Sequence, residues 1–293
     1  MRIVYIGTVD FSRRILQELV SMRCDVVGVC TAESSAVNSD HCDLSAVSRE
    51  HGIPWIYVDD INDERTVIWI RDKRPDVIFC FGWSRLLGKP ILDIAPLGVV
   101  GYHPSALPEN RGRHPIIWAL VLGLKETGST FFFLDEGADS GDVLSQRSIQ
   151  IDPDDDAADL YRKVTDAALE QVREFVPDLE GGRARAVSQD RRRGNAWRKR
   201  NRADGRIDWR MSAQSIRNLV RGLARPYVGA HFDVGGQEVR VWRAEVVSGI
   251  QRNIEPGKVV AHRGGAPIVK CGEDAVLLVE TEPQFVPKKG VYL

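Results

Sequence analysis

The chain lacks the patterns that mark several common classes of protein. Its five cysteines are scattered, odd in number and without Cys-x-x-Cys spacing, which argues against a disulfide framework or a zinc site. The opening residues MRIVYIGTVD have neither the basic start nor the apolar core of a signal peptide. No apolar run is long enough to span a bilayer. We therefore expect a cytoplasmic protein with reduced thiols, no metal centre and no membrane partner.

An excess of charge of one sign is also missing. The 40 Lys and Arg and the 41 Asp and Glu give a formal net charge of −1 over 293 residues, so no global attraction to nucleic acid is implied. The local distribution is uneven. Residues 24–48 contain no Lys or Arg, whereas residues 180–202 are rich in Gly and Arg. The length favours one large domain or two ordinary ones.

Apolar runs and helical spacing alternate along the first half of the chain. A short run at residues 2–6 ends in Gly7, a helical pattern covers residues 11–22, and a second run covers residues 25–30. This order predicts a βαβ unit, and hence a parallel sheet with a right-handed crossover. Gly7 stands without the other glycines of a G-x-G-x-x-G motif, so a tight turn is favoured over a dinucleotide site.

The second half of the chain has a different pattern. Residues 183–202 indicate a basic joint, for which a solvated linker is favoured over a phosphate-binding segment. A helix at 211–223 and several short strands with Gly and Pro turns then predict a small β-barrel. We predict an α/β chain with a Rossmann-like, mostly parallel sheet in residues 1–182, the linker 183–202, and an OB-like barrel in residues 203–293. The barrel is a candidate homodimer surface.

Residues 101–142 carry the polar groups of a predicted active site. His103 follows a strand within a proline-flanked turn, and Asp139 lies in a loop dense in carboxylates. Ligands of open α/β sheets bind beyond the carboxyl ends of the strands, where this turn and the loop at residues 81–85 are predicted to lie. A histidine can titrate near neutrality, and a carboxylate can stabilise its charged form. The pattern therefore indicates proton transfer in a cleft.

Two motifs in this stretch resemble those of the formyltransferases that use formyl-tetrahydrofolate. The family's turn Asn-x-His-x-Ser-Leu-Leu-Pro corresponds to residues 101–108, Gly-Tyr-His-Pro-Ser-Ala-Leu-Pro, and its loop Gly-x-Asp-x-Gly-Asp corresponds to residues 137–142. Residues 1–11 and 206–209 are similar to methionyl-tRNA formyltransferases. The family also includes glycinamide ribonucleotide and sugar-nucleotide N-formyltransferases, and the resemblance covers nearly the whole chain.

The resemblance implies that an amine attacks the formyl carbon of formyl-tetrahydrofolate, which serves as co-substrate. It assigns His103 as a donor to the oxyanion or a proton mediator, and Asp139 as the group that tunes His103 and receives the proton. The sequence departs from the family at Gly101, where the family has an asparagine that donates to the formyl oxygen. Asn110 is a candidate catalytic replacement, as is His114.

The resemblance also implies two sets of binding residues. The folate set is Phe81, Gly82, Trp83, Ser105, Ala106, Leu107, Pro108, Asp135, Gly137 and Ala138. The acceptor set is Gly7, Thr8, Arg111, Arg113 and Trp118.

Three interpretations of the acceptor stay open. The turn Arg111-Gly112-Arg113 with Trp118 resembles sugar-nucleotide formyltransferases, since arginine binds a diphosphate bidentately, and this favours a nucleotide-linked amino sugar. Residues 31–45 stand where methionyl-tRNA enzymes have a basic insert but contain no Lys or Arg, which weakens tRNA as a partner. The basic residues 183–199 keep tRNA as the second candidate. Gly101 motivates the third, a catalytically impaired folate-binding homologue.

Overall fold

The computed structural model describes residues 1–35, 39–190 and 192–293. By its contacts the chain forms two compact units, each assembled from separate stretches of sequence. The first comprises Met1–Pro115, Thr127–Ile149 and Arg162–Trp197, and the second comprises Ile116–Glu126, Gln150–Tyr161 and Arg198–Leu293. The domain boundaries given above stay a prediction.

In the described part of the chain, nine strands lie in the first unit or cross its boundary. They are β1 (Arg2–Ile6), β2 (Asp25–Thr31), β3 (Trp55–Tyr57), β4 (Val77–Cys80), β5 (Val99–His103), β6 (Arg111–Gly112), β7 (Glu126–Phe133), β8 (Val143–Gln150) and β9 (Ala196–Trp197). Seven of them form a sheet in the order β3-β2-β1-β4-β5-β7-β8. Strands β1 to β5 pair in parallel, and β7 is antiparallel to β5.

Among the described residues, six helices fall in the same part of the sequence. They are α1 (Asp10–Ser21), α2 (Ser45–Glu50), α3 (Glu64–Asp72), α4 (Lys89–Leu92), α5 (Pro115–Val121) and α6 (Ala157–Glu180). Helix α5 lies in the second unit from Ile116 on, and α6 lies in the first unit from Arg162 on. Helix α1 forms because Phe11, Ile15, Leu16 and Leu19 recur at helical spacing and are buried together. Helix α3 begins where the Asp63 side chain accepts the backbone N–H of Thr66.

The carboxyl ends of β1 and β4 approach each other closely. A Cβ atom on Gly7 would lie 2.5 Å from Cβ of Ser12 and 2.7 Å from the carbonyl oxygen of Phe81. Gly82 has a φ of +69°, and a Cβ there would lie 2.2 Å from Val9 Cγ2. Glycine is therefore required on both sides of this approach. The strand order reverses direction between β1 and β4, which is where open α/β sheets bind ligands.

The second unit is built on an antiparallel sheet. Its elements are a 3-10 turn (Arg202–Gly205), α7 (Ala213–Gly222), β10 (Ala230–Val234), β11 (Gln237–Val247), β12 (Val259–Arg263), β13 (Ala266–Lys270) and β14 (Ala275–Glu282). The five strands run in the order β10-β11-β14-β13-β12. Ile216, Leu219 and Val220 of α7 belong to its buried core, as do Phe232 and Val241 of the sheet. The predicted fold class, a mostly parallel α/β sheet followed by a β domain, is confirmed.

Within residues 1–35, 39–190 and 192–293, no helix is both long and apolar enough to cross a bilayer. Over the same ranges, no three His, Cys, Asp or Glu side chains are grouped as a metal ion would require.

Candidate active site

His103 is the last residue of β5, and its side chain is buried. Its Nε2 lies 2.8 Å from the backbone oxygen of Asn110. Because a carbonyl oxygen only accepts hydrogen bonds, Nε2 carries a proton and donates it. The other ring nitrogen, Nδ1, lies 3.7 Å from Asp139 Oδ2. The structure therefore fixes the tautomer of the neutral ring and directs Nδ1 to Asp139.

Asp139 is held in a strained part of its loop. Its φ is +55°, a left-handed conformation that is costly for a residue with a side chain. Its Oδ2 accepts the backbone N–H of Gly112 at 2.8 Å. Asp135 shapes the same loop, since its Oδ1 accepts from the Gly137 N–H at 2.9 Å and the Ser140 hydroxyl at 2.7 Å. Residues 136–138, which include Ala138, are exposed.

The two atoms that face each other across this gap are both acceptors when the ring is neutral. A neutral Nδ1 has a lone pair, and the Asp139 carboxylate accepts only. Such a pair favours a ligand N–H between its members, or a proton on Nδ1. The arrangement is therefore suited to take a proton from an amine or to hold one beside an oxyanion.

The turn after His103 is packed against β7. Ser105 is buried, its hydroxyl donates to the Glu109 carbonyl, and its own carbonyl accepts from Thr130 Oγ1. The Leu107 carbonyl accepts from Gln146 Nε2 at 2.7 Å. A Cβ at Gly128 would lie 2.6 Å from the backbone nitrogen of Ala106, so glycine permits the close packing. Ser105 and Leu107 are thus structural supports of the turn that continues to Pro108.

The predicted folate loop at residues 81–83 consists of one buried residue, Phe81, and two half-buried residues, Gly82 and Trp83. Phe81 is fully buried, and its ring lies in the aromatic core. Its N–H donates to the Ile6 carbonyl, and its carbonyl accepts from the Ser12 hydroxyl. Trp83 packs on the hydrophobic cluster of the sheet. Its Nε1 is buried and has no hydrogen-bond partner among the described residues. Such a donor is rare in folded proteins.

Gly101 lies next to Leu134. A Cβ at Gly101 would be 2.4 Å from Leu134 Cδ2 and 3.0 Å from its Cγ. The family's asparagine would therefore collide with Leu134 in this chain. Glycine in place of the family's asparagine at position 101 is thus accompanied by a leucine side chain that occupies the adjacent space.

The predicted acceptor residues are divided between the two units. Thr8 is buried and its hydroxyl donates to the Gly82 carbonyl at 3.0 Å. Arg111 donates to the Asp139 carbonyl and to Gln189, while Arg113 donates to the Ser84 carbonyl at 2.7 Å. Trp118 belongs to the second unit, where its Nε1 donates to the Arg198 carbonyl.

Two guanidinium groups, those of Arg198 and Arg200, lie over the Trp118 ring at 5.4 and 4.5 Å from its centroid.

Two amide side chains beside the site are not among the residues predicted from the sequence. Gln189 Nε2 donates to the carbonyls of Asp139 and Gly141 at 3.0 and 2.7 Å. Asn195 Oδ1 accepts the backbone N–H of Asn110 at 2.9 Å. Both lie in the segment predicted as a solvated linker. That prediction rested on the basic composition of the segment, which gives no indication of single amide side chains. Arg191, which the sequence analysis counted among the basic residues of the joint, lies outside the described residues.

Comparisons with known proteins show the family to which the chain belongs. The family model for formyl transferases matches residues 1–176, and the model for the formyl transferase C-terminal domain matches residues 199–289. The chain belongs to the formyl transferase family. The predicted family, the formyltransferases that depend on formyl-tetrahydrofolate, is thereby confirmed, and the protein is a formyltransferase.

One curated relative and two solved structures illustrate what the chain is similar to. The chain is 31% identical over 296 residues to the methionyl-tRNA formyltransferase of Caldanaerobacter subterraneus, covering 99% of this chain and 95% of that one. The N-formyltransferase of Helicobacter canadensis, solved with folinic acid and dTDP-3-aminofucose, is 14% identical with a TM-score of 0.69, covering 94% and 98%. HypX from Aquifex aeolicus is 21% identical with a TM-score of 0.69; the match covers 96% of this chain but only 45% of HypX. At such identities the two structures show a shared fold.

Proposed function

We propose that this formyltransferase moves the formyl group of formyl-tetrahydrofolate to the primary amine of a nucleotide-linked amino sugar. The observation that carries the chemical part is the facing pair of His103 Nδ1 and Asp139 Oδ2, 3.7 Å apart. Since Nε2 of His103 is occupied by the Asn110 carbonyl, Nδ1 is the ring nitrogen left for the reaction.

The proposed reaction balances without an external acid or base. The amine nitrogen bonds to the formyl carbon, and the electrons of the carbonyl bond move to its oxygen. The new ammonium loses a proton to Asp139, while a protonated His103 donates from Nδ1 to the oxyanion. The electrons on the oxyanion then re-form the carbonyl bond, the bond between the formyl carbon and the folate nitrogen breaks, and that nitrogen receives the proton held by Asp139. The products are the formamide of the acceptor and tetrahydrofolate.

We propose that the folate lies against the loop after β4, the turn at residues 105–108 and the loop at residues 135–138. The loop after β4 and the turn after β5 follow the carboxyl ends of neighbouring parallel strands, and the loop at residues 135–138 leads directly to Asp139, which lies beside His103. The buried supports described above leave mainly Trp83, Pro108 and the exposed backbone of residues 136–138 for direct contact. HypX from Aquifex aeolicus has been solved with tetrahydrofolic acid, which supports folate binding by this fold.

The choice of a small acceptor rests on the charge of the loop after β2. Its backbone joins the end of β1, because Cys42 N–H donates to the Thr8 carbonyl and Asp10 N–H to the Asp40 carbonyl. In sequence this loop contributes Glu33, Asp40 and Asp43, and no cation. Such a surface repels the phosphates of a nucleic acid. Residues 36–38 of the loop lie outside the described residues.

Methionyl-tRNA is the second candidate acceptor. The curated relatives that match nearly the whole chain are methionyl-tRNA formyltransferases, and residues 198–202, Arg-Lys-Arg-Asn-Arg, are basic. Arg198 is paired with Asp204 and Arg202 with Glu238, which reduces the charge available to phosphates. We therefore rank the sugar first.

The test combines acceptors with site variants. The protein is incubated with formyl-tetrahydrofolate and either a panel of nucleotide-linked amino sugars or charged initiator tRNA, and acceptor mass and tetrahydrofolate release are measured. We expect formylation of a sugar, with His103→Ala and Asp139→Asn each lowering kcat by ~10²-fold or more. The exposed His51→Ala is the matched control and keeps wild-type turnover. Transfer to tRNA but to no sugar would establish the second candidate, and folate binding without transfer the impaired homologue. Full activity of His103→Ala would refute the proposed chemistry.

A further inference from the structure

The segment at residues 189–197, apart from residue 191, lies against the active site of the first unit. Its strand β9 pairs in parallel with β6, with Ala196 opposite Arg111 and Trp197 opposite Gly112. A Cβ at Gly112 would lie 2.3 Å from the Trp197 carbonyl oxygen. At the other end of the contact, Gly194 has a φ of +95°, and a Cβ there would lie 2.0 Å from the Pro108 carbonyl oxygen. Glycine at both positions allows this close approach of backbones.

Gln189 holds the Asp139 loop with all of its hydrogen-bonding groups. Its two amide hydrogens go to the carbonyls of Asp139 and Gly141, at 3.0 and 2.7 Å. Its oxygen accepts from Arg111 Nη2 at 2.7 Å, and the Arg111 Nε donates to the Asp139 carbonyl at 3.1 Å. The left-handed backbone of Asp139 is unfavourable by itself, so it depends on contacts of this kind.

Asn195 acts on the other member of the pair. Its Oδ1 accepts the backbone N–H of Asn110 at 2.9 Å, and its backbone oxygen accepts the N–H of Arg111. Asn110 also has a left-handed backbone, with a φ of +63°. The carbonyl of the same residue accepts from His103 Nε2. Asn195 therefore fixes the group that orients the His103 ring.

We infer that Gln189 and Asn195 are positioning residues for formyl transfer, Gln189 for Asp139 and Asn195 for His103. Gln189 acts through the backbone carbonyl of Asp139 itself. Asn195 acts one step further away, through the backbone of Asn110, whose carbonyl accepts from the His103 ring. This inference rests on the proposed roles of His103 and Asp139. A displacement of about 1 Å in a reacting group can cost on the order of 10²-fold in rate, so the effect is expected in kcat.

The experiment uses Gln189→Leu, Gln189→Glu and Asn195→Ala. Glutamate keeps an acceptor for Arg111 but loses the donors to the carbonyls of Asp139 and Gly141. The Gln189→Glu variant therefore tests the loss of those donors while the contact with Arg111 is kept. We expect kcat to fall ~10²-fold in both Gln189 variants, with the KM for formyl-tetrahydrofolate within about threefold. The control is Gln17→Leu, because Gln17 is exposed on α1 and also accepts from an arginine, Arg13. It keeps wild-type kinetics.

A second readout does not depend on transfer. In ¹⁵N-histidine spectra at a pH where the ring is neutral, we expect wild-type His103 as the Nε2–H tautomer and Asn195→Ala as a mixture of tautomers. Wild-type kcat in Gln189→Glu would overturn the role of Gln189, and an unchanged tautomer in Asn195→Ala would overturn that of Asn195. If the wild-type protein transfers formyl to no acceptor, the proposed function is refuted. If Asn195→Ala nevertheless shows the expected mixture of tautomers, the positioning of His103 by Asn195 is still supported.

Discussion

At the residue scale, the Leu134 side chain occupies the space beside Gly101 in which the family's asparagine side chain would lie. We expect Gly101→Asn alone to lower the free energy of unfolding by about 1–3 kcal/mol, because the new side chain overlaps Leu134 Cδ2. In a Leu134→Ala background the same asparagine has room, so its cost falls. Urea unfolding of the four proteins in a double-mutant cycle measures the difference. Additive effects of the two substitutions would contradict the shared space.

The same four proteins test whether the missing donor limits the rate. A preorganised oxyanion donor is worth ~10²–10³ in kcat, and an engineered one is less well placed. We therefore expect the double variant to exceed Leu134→Ala in kcat by about tenfold. A double variant that folds but gains nothing would mean that another donor already fills this role. Asn110 and His114 are the replacements that the sequence predicts for this donor.

At the scale of elements, the 3-10 turn Arg202–Gly205 depends on one carboxylate. Asp204 accepts from the Arg198 guanidinium and from the Asn201 N–H, and these contacts lower its pKa well below the ordinary value of 3.8 for an aspartate. Because the pKa in the folded chain is the lower one, this stabilisation is present above about pH 4. It is lost as the pH falls through the folded pKa. Asp204→Asn should therefore cost about 1–2 kcal/mol at pH 7.

The difference between wild type and Asp204→Asn should shrink steadily as urea unfolding is repeated from pH 5 to pH 2. The matched control is Asp233→Asn. Asp233 forms a looser pair with Arg206 at 3.8 Å, with both side chains about half exposed, and such pairs contribute little. A constant difference across this pH range would show that Asp204 stabilises the turn without its charge.

The elements with strong periodicity were predictable from sequence, and the 189–197 segment was not. The buried positions of α1 recur at helical spacing, and the opening βαβ unit follows from that spacing and two apolar runs. In contrast, Gln189 and Asn195 act through single amide groups and short backbone pairing, which leave no periodic signature. The motifs at residues 101–108 and 137–142 indicated His103 and Asp139. Leu134 was missed because its overlap with Gly101 arises only from the packing of the folded strands.

At the scale of the whole molecule, the balanced net charge conceals an uneven distribution. The first unit carries the loop of Glu33, Asp40 and Asp43 beside the end of β1, and the second begins with the basic residues 198–202. Much of that basic charge is neutralised within the second unit by Asp204 and Glu238. Any electrostatic selection between the two proposed acceptors therefore depends on local charge, which the net value of −1 does not reveal.

The reactivity of the five cysteines measures how well the cores of both units exclude solvent. Cys30, Cys80 and Cys271 are buried, whereas Cys24 and Cys42 are partly exposed. Burial raises the pKa of Cys80 and Cys271 to about 12 and also raises that of Cys30, so their thiolate fractions at pH 7 are of order 10⁻⁵ or less. We expect N-ethylmaleimide to label Cys24 and Cys42 in the native protein, and all five in guanidinium, as measured by peptide mass mapping.

Each buried thiol tests a particular core. Cys271 is the one cysteine in the sequence of the second unit and belongs to its core, while Cys30 and Cys80 belong to the core of the first. Since labelling requires exposure as well as the thiolate, protection of all three shows that both cores are closed under assay conditions. Labelling of Cys271 as fast as Cys24, with Cys30 still protected, would refute the described packing of the second unit alone. The site chemistry proposed for the first unit would stand, because every residue that holds His103 and Asp139 lies within it.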